Sequence, residues 1–384
     1  MWCSIIFILV IAVVLLDFFS QFYTWQSRIK IGRFASDEQW EELLFCKSLQ
    51  WLKHTPTIKL TDNTRLIIID ILRGNYERKS IQSWQEAALL LGLTQRYIKT
   101  KDSSIKKQID TFLVSKINSS GDWITPPKEV DEVILAYAII QVPWIDLQHY
   151  KPCFDATYAL LLDSTGSDGT IAYKKHHSDY RFVDTIGFVC PFLMRYGMVY
   201  DCNEAVALSF NQIHTFNQNG MLAESFIPCH SYRITDLQPT GLFGWGRGLG
   251  WYAIGLIDTW NALPDTHLDK NQLTDSVIRF AQMALSFQNQ DGSFNWLISD
   301  TLARKDSSAT ATMAWFFINA SVLKELSEDC QLACEKATDY LKSVTRRDGA
   351  VDFSQGDTKA IGIYSREFDI LPFTQGFVLR TNSL

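Results

Sequence analysis

Gln290-Asp291-Gly292-Ser293-Phe294-Asn295-Trp296 joins a turn sequence to a short, partly apolar stretch, and the chain repeats that join at four other places. They are Ser119-Ser120-Gly121-Asp122 before Trp123-Ile124, Gly166-Ser167-Asp168-Gly169 before Thr170-Ile171-Ala172-Tyr173, Asn217-Gln218-Asn219-Gly220 before Met221-Leu222, and Arg347-Asp348-Gly349 before Ala350-Val351-Asp352-Phe353. Asp-Gly and Asn-Gly tolerate positive φ, so each mark ends a helix and reverses the chain. Successive glycines stand about 50 to 70 residues apart. That is room for one helical hairpin with its loop, the spacing of an internal-repeat architecture.

Between the marks the pattern is helical. Glu204–Phe216 places Ala205, Val206, Leu208, Ile213 and Phe216 near a 3.6-residue period, and Gln272–Phe287 does the same with Val277, Ile278, Phe280, Ala281, Ala284 and Leu285. Counting Asp37–Leu52 as the first helix, about five or six hairpins fit before the C-terminus, a number that suggests a closed ring. A ring needs inner helices that are apolar on nearly all sides and outer ones that are amphipathic. Val183–Met194, Trp251–Trp260 and Ala309–Ala320 are the inner candidates. The expected fold is an all-α (α/α)6 toroid, a six-hairpin barrel with short β pieces in its loops, occupying residues 35–384 as one domain.

The composition narrows the function. A net charge of -6 supplies no basic excess to neutralise phosphates, which argues against nucleic acid as a partner. Twelve Trp, 14 Tyr and 24 Phe suit rings that stack on sugar faces, and suit a bulky helical core equally. The eight cysteines show no metal-site spacing beyond the lone pair Cys330 and Cys334, and those in apolar runs such as Phe188-Val189-Cys190-Pro191-Phe192 read as buried thiols. Neither a metal nor another cofactor is expected.

Trp2–Phe19 is apolar except for Ser4 and Asp17, near the minimum length for a bilayer span. No Lys or Arg precedes it and no Ala-x-Ala cleavage site follows, so residues 1–22 read as an uncleaved membrane anchor, with residues 2–19 in the bilayer. Arg28, Lys30 and Arg33 follow the segment, and the positive-inside tendency then places a single-pass protein's main domain on the cytoplasmic side.

The residues to weigh for chemistry are polar groups where the inner helices begin. Asp184, in Arg181-Phe182-Val183-Asp184-Thr185-Ile186, reads either as a first-turn acid stabilising its helix or as a desolvated carboxyl fit to donate a proton. Trp245-Gly246-Arg247-Gly248-Leu249-Gly250-Trp251 combines glycines that let a backbone approach a ligand, a guanidinium fork and two indoles. Asp306-Ser307-Ser308 reads as a helix cap, and Asp131-Glu132 ahead of Val133–Ile140 as another acidic helix start. His176 and His177 are adjacent and point different ways on any regular element, which argues against a shared metal.

Together these motifs resemble glycoside hydrolase families 88 and 105, the unsaturated glucuronyl and rhamnogalacturonyl hydrolases of six-hairpin fold. Phe182-Val183-Asp184-Thr185 with Pro191-Phe192-Leu193-Met194-Arg195-Tyr196-Gly197 is similar to the family's aspartate helix, and Trp245–Trp251 to its Trp-Gly-Arg segment. Gln290-Asp291-Gly292 and Ser307–Ala311 follow in the family's order, Trp84–Leu91 resembles an earlier helix, and the likeness covers roughly residues 80–380. It implies hydration of the 4,5 double bond of an unsaturated uronyl residue, with Asp184 as proton donor and then water activator, and Asp131 as second carboxylate. Arg247, Trp251, Trp245, Tyr173, Phe182 and His177 would contact an oligosaccharide. The family places histidines where this chain has Tyr173 and Ala223-Glu224, and an asparagine or similar residue where it has Leu249. Two other readings share the scaffold: an enzyme of surface glycan assembly with a different substrate, and a non-catalytic, membrane-tethered glycan-binding protein.

Overall fold

Helices without a polar face can only pack on all sides, and helices of that kind dominate the centre of this molecule. The computed structural model describes residues 2–76 and 79–384. After α1 (Trp2–Arg28), α2 (Asp37–Lys53) and the short α3 (Ile67–Leu72) come α4 (Lys79–Thr100), α5 (Ser103–Lys116), α6 (Val133–Ile140) and α7 (Lys151–Asp163). Then follow α8 (Val183–Tyr200), α9 (Asn203–Asn219), α10 (Gly246–Ala262), α11 (Lys270–Phe287), α12 (Ser307–Ala320), α13 (Ser327–Ser343) and α14 (Pro372–Thr381).

Helices α4, α6, α8, α10, α12 and α14 each pack on the next, and α14 returns to α4, closing the ring. Three of them are buried almost all round: every residue of α6 and of α14, and Gly246–Trp260 of α10. Outside stand α2, α5, α7, α9, α11 and α13, which bury one face only. In α13 that face is Cys330, Ala333, Cys334, Ala337, Tyr340 and Leu341, the spacing of a single apolar stripe. This is the (α/α)6 toroid, and the three inner helices expected from sequence are α8, α10 and α12.

The turn marks close the outer helices on one rim. Gly121, Gly169, Gly292 and Gly349 have φ of +84°, +73°, +84° and +86°, as a left-handed turn requires. Gly220 departs from that expectation: its φ is -104°, and the extra residues before Pro228 carry the reversal instead. Each mark leads by a short bridged loop into the next inner helix, so all inner-helix N-termini gather at one end. The strands lie at the same end. β1 (Tyr180–Phe182), β2 (Cys229–Arg233) and β3 (Pro239–Phe243) form an antiparallel sheet in that order, and β4 (Ser354–Gln355) pairs with β5 (Phe368–Asp369). Of the cysteines, Cys153, Cys190, Cys229, Cys330 and Cys334 are buried as expected of small hydrophobes, whereas Cys3 and Cys46 are exposed because they lie on solvent-facing sides of α1 and α2.

Helix α1 is long and apolar enough to cross a membrane. It runs unbroken to Arg28, whose guanidinium donates to both oxygens of the buried Asp352 at 2.7 and 3.0 Å and to the Phe368 carbonyl at 3.2 Å. Burial alone would raise the Asp352 carboxyl, but hydrogen bonds from Arg28 and Arg346 outweigh it and hold it below the usual carboxylate range.

Candidate active site

Where the inner helices begin they enclose a cavity of about 160 Å³ that opens to solvent at its mouth. Peptide dipoles from several parallel helices point their positive ends into it, a field that favours a bound anion.

Asp184 stands in the first turn of α8, and its position is set from outside the helix. Arg181, fully buried on β1, donates from Nε to Asp168 at 3.0 Å and to the Thr170 hydroxyl at 2.5 Å, and its Nη2 pairs with Asp168. The second turn mark thus clamps β1, and β1 runs directly into α8. The cap position is Phe182, with no side-chain hydrogen bond, so Asp184 is not a capping residue. Its side chain is 10% exposed and its Oδ2 has no hydrogen-bond partner. Desolvation dominates and, with the negative Asp357 and Asp131 nearby, outweighs its own backbone N–H and Arg247 to push the carboxyl from 3.8 up to about 7.

Arg247 is the buried cation of the site. One Nη2 hydrogen donates to the Gly356 carbonyl at 3.0 Å, the guanidinium lies 5.9 Å from the Trp84 ring centre, and Nε is buried without a partner. Burial works against its charge, while Asp306, Asp357 and Asp184 support it. Asp306 is the expected helix cap: its Oδ1 accepts from the Ser308 and Gln355 amides at 2.9 and 3.0 Å. Gln355 in turn accepts from Trp245 Nε1 at 2.9 Å, which locks that indole to β4.

The glycines around Arg247 are closely packed against protein atoms. A side chain at Gly246 would approach the Asn295 carbonyl to 2.7 Å, one at Gly248 would reach the Trp245 ring at 2.8 Å, and one at Gly250 would strike Thr312. They serve the packing of α10 against its neighbours, while Trp245, Arg247 and Trp251 line the cavity.

The structure gathers the other sequence candidates around one cavity. Trp245, Trp251, Phe182, Tyr173 and His177 all line it with Asp184 and Arg247. Trp251 forms the floor, wedged 4.3 Å from Phe188 and 4.7 Å from Phe373 between ring centres. Tyr173 stacks on Phe188 at 5.6 Å and donates its hydroxyl to Asp131 Oδ2 at 3.0 Å. Asp131 does not line the cavity: it is fully buried behind Tyr173 and Lys174, whose ammonium lies 3.3 Å from the same oxygen. Leu249 is buried within α10 and packs into the core.

Sequence reading missed His230, Asp357, Lys359 and Tyr364. His230 sits where the pairing of β2 with β3 shifts register between Cys229 and Ser231, and such a bulge turns one side chain out of the alternation. Its Nε2 comes 3.8 Å from Asp184 Oδ2, too long for a hydrogen bond, while Nδ1 is 3.0 Å from the Tyr364 hydroxyl. Desolvation lowers its pKa to about 4, so it is a neutral imidazole beside the acid. A histidine is therefore present at the site, although not in the sequence position where Ala223-Glu224 stands. Asp357 and Lys359 reach the mouth from the loop between β4 and β5. Their only sequence signal is a polar, glycine-containing run, Gln355-Gly356-Asp357-Thr358-Lys359, after the fifth turn mark.

Comparison with known proteins agrees with this fold. Solved structures share the fold: a possible member of family GH105 from Salmonella enterica serovar Paratyphi A has a TM-score of 0.77 at 16% identity, covering 91% of this chain and 94% of that one. An unsaturated glucuronyl hydrolase specific for heparin has a TM-score of 0.67 at 14% identity over 90% and 96% of the two chains. The unsaturated glucuronyl hydrolase of Bacillus sp. GL1, responsible for the degradation of glycosaminoglycan, has 0.62 at 16% identity over 88% and 93%. No curated protein matches the chain in sequence. The family model described as Glycosyl Hydrolase Family 88 matches residues 60–379, most of the molecule, and the chain therefore belongs to that family and is a glycoside hydrolase.

Proposed function

We propose that this enzyme removes an unsaturated uronyl residue from the non-reducing end of an oligosaccharide by hydrating its 4,5 double bond. The observation that carries the proposal is the Asp184 carboxyl, buried, pushed up to about 7 and facing a cavity that also presents Arg247 and the neutral His230. An enol ether is hydrated through protonation of C4, which leaves an oxocarbenium cation shared by C5 and the ring oxygen. A carboxyl that is still protonated near neutrality supplies that proton, and as a carboxylate it then stabilises the cation.

Asp184 donates to C4 and, now ionised, takes a proton from a water that adds to C5. The resulting hemiketal opens to a ketone, the hemiacetal at C1 collapses, and the remaining sugar leaves with its hydroxyl restored. Arg247, with the field of the helix N-termini, is suited to the uronate carboxylate. Trp245, Trp251, Phe182 and Tyr173 offer ring faces, His177 lies at the rim, and Asp131 tunes Asp184 from behind Tyr173. The conjugated uronide absorbs in the ultraviolet, so loss of that absorbance from lyase-digested pectin or glycosaminoglycan is the direct assay. Turnover by an Asp184→Asn variant at the wild-type rate would overturn the assignment.

Helix α1 we read as an anchor holding the enzyme at a membrane, with Arg28, Lys30 and Arg33 favouring a cytoplasmic domain. Reporter fusions after Leu384 test that orientation.

A further inference from the structure

The segment Arg65-Leu66-Ile67-Ile68-Ile69-Asp70-Ile71-Leu72-Arg73 is built inside out. Ile67 packs inward and Ile68 is half-buried, but the other aliphatic side chains point to solvent: Leu72 is 81% exposed, Ile71 50% and Leu66 52%. Its acid points inward, where the Asp70 carboxylate accepts hydrogen bonds from Thr61, Asn63 and Asn75. Arg65 and Arg73, both exposed, bracket the apolar face. A surface helix in water carries the reverse pattern, and a patch of cations around exposed aliphatics is the pattern of a helix lying in a lipid interface.

Its attachment makes the same point. α3 packs on α1, and the Asp17 carboxylate, the one charge inside the apolar run, accepts from the Leu66 and Ile67 amides at 2.6 and 3.0 Å. Four residues on, Gln21 donates to the Thr64 carbonyl at 3.1 Å. Beyond that junction α1 exposes Phe22, Tyr23 and Trp25, the aromatic composition of a headgroup-level belt. From Trp25 back to Asp17 is about 12 Å at 1.5 Å per residue. α3 therefore sits slightly inward of the belt, close to the depth of about 5–10 Å at which interfacial helices lie.

We infer that α3 is a second membrane contact, dipping its Leu66–Leu72 face into the leaflet that α1 enters; this rests on reading α1 as an anchor. The contact reaches the site. Asp62, three residues before Arg65, accepts from Lys359 Nζ at 2.9 Å and from the Ser365 hydroxyl at 2.7 Å, both on the loop that rims the cavity. Seating α3 in lipid thus holds the rim of the funnel next to the bilayer surface.

The test uses the full chain with Cys3 and Cys46 changed to serine, in vesicles of phosphatidylcholine and phosphatidylglycerol. An environment-sensitive fluorophore is attached at Leu72→Cys, Ile71→Cys, Val10→Cys or Leu268→Cys, the last on the far side of the ring. Labels at 71, 72 and 10 are expected to be quenched by doxyl lipid and several-fold less by iodide than the label at 268. Lipid quenching at 10 with free iodide access at 71 and 72 overturns the inference while leaving the anchor standing. Free iodide access at 10 as well overturns the anchor and the inference together.

Discussion

The two ends of the inner ring bury ions in opposite ways. At the end away from the cavity, Asp258 of α10 accepts from Trp315 Nε1 at 2.8 Å and from Arg380 at 2.7 Å. Arg380 also reaches the Tyr137 hydroxyl at 3.4 Å and stacks 3.8 Å over Trp315. At the cavity end, Asp184 and Arg247 are as deeply buried, yet Asp184 Oδ2 and Arg247 Nε have no partner. The Asp258–Arg380 pair, its bonds completed, ties four helices together, whereas buried polar groups left without partners keep their capacity for something that comes from outside. The difference between the ends separates structure from function within a single set of parallel helices.

The largest effect expected is on turnover. Asp184→Asn should lower it by about 10²–10⁴-fold, the usual contribution of a positioned acid or base. The same change should stabilise the protein above neutrality. Because the folded carboxyl holds its proton up to about 7 and the unfolded one only to 3.8, the native state binds more protons between these values, and stability falls as pH rises through them. At about 1.4 kcal/mol per pKa unit, removing the group recovers up to a few kcal/mol at pH 8, read by urea unfolding. Greater activity loss with no gain in stability would break the comparison.

Arg380→Met should do the reverse. It strands Asp258 and costs about 3–5 kcal/mol in unfolding free energy, with kcat/KM per folded molecule unchanged. Next in size, Arg247→Lys keeps the charge and loses the planar fork, and should raise KM for a free uronide by about tenfold, a bond to a charged group being worth about 1.5–3 kcal/mol. Its KM for the methyl ester of the same sugar should move less. Smallest, Asp131→Asn removes a negative neighbour of Asp184, so the alkaline limb of the kcat/KM profile should shift to lower pH by a fraction of a unit, without a comparable loss at the optimum.

How much of this was legible in the sequence follows from what each feature depends on. The ring was readable because helix periodicity and the five turn marks are local, and apolar runs such as Val183–Met194 can only be inner helices. Asp184 and the Trp245–Trp251 segment were readable because each interrupts such a run with a charge. His230 was not, since a register shift between two strands far apart in sequence decides where it points. Asp131 was found as a helix start, but its place behind Tyr173 depends on a contact across 42 residues. The close packing of the glycines beside Arg247 is illegible for the same reason: their neighbours, Asn295 and Thr312, come from later hairpins. Local chemistry was visible, and everything set by which hairpin meets which was not.

The central claim is that the cavity holds a carboxylic acid that stays protonated near neutrality. A carbon-detected NMR titration of the aspartate carboxyls, in the wild type and in Asp184→Asn, tests it directly. One carboxyl is expected to titrate with a midpoint near 7 and to disappear in the variant. A wild-type protein whose aspartates all titrate below about 5, near the ordinary range for the residue, would contradict it.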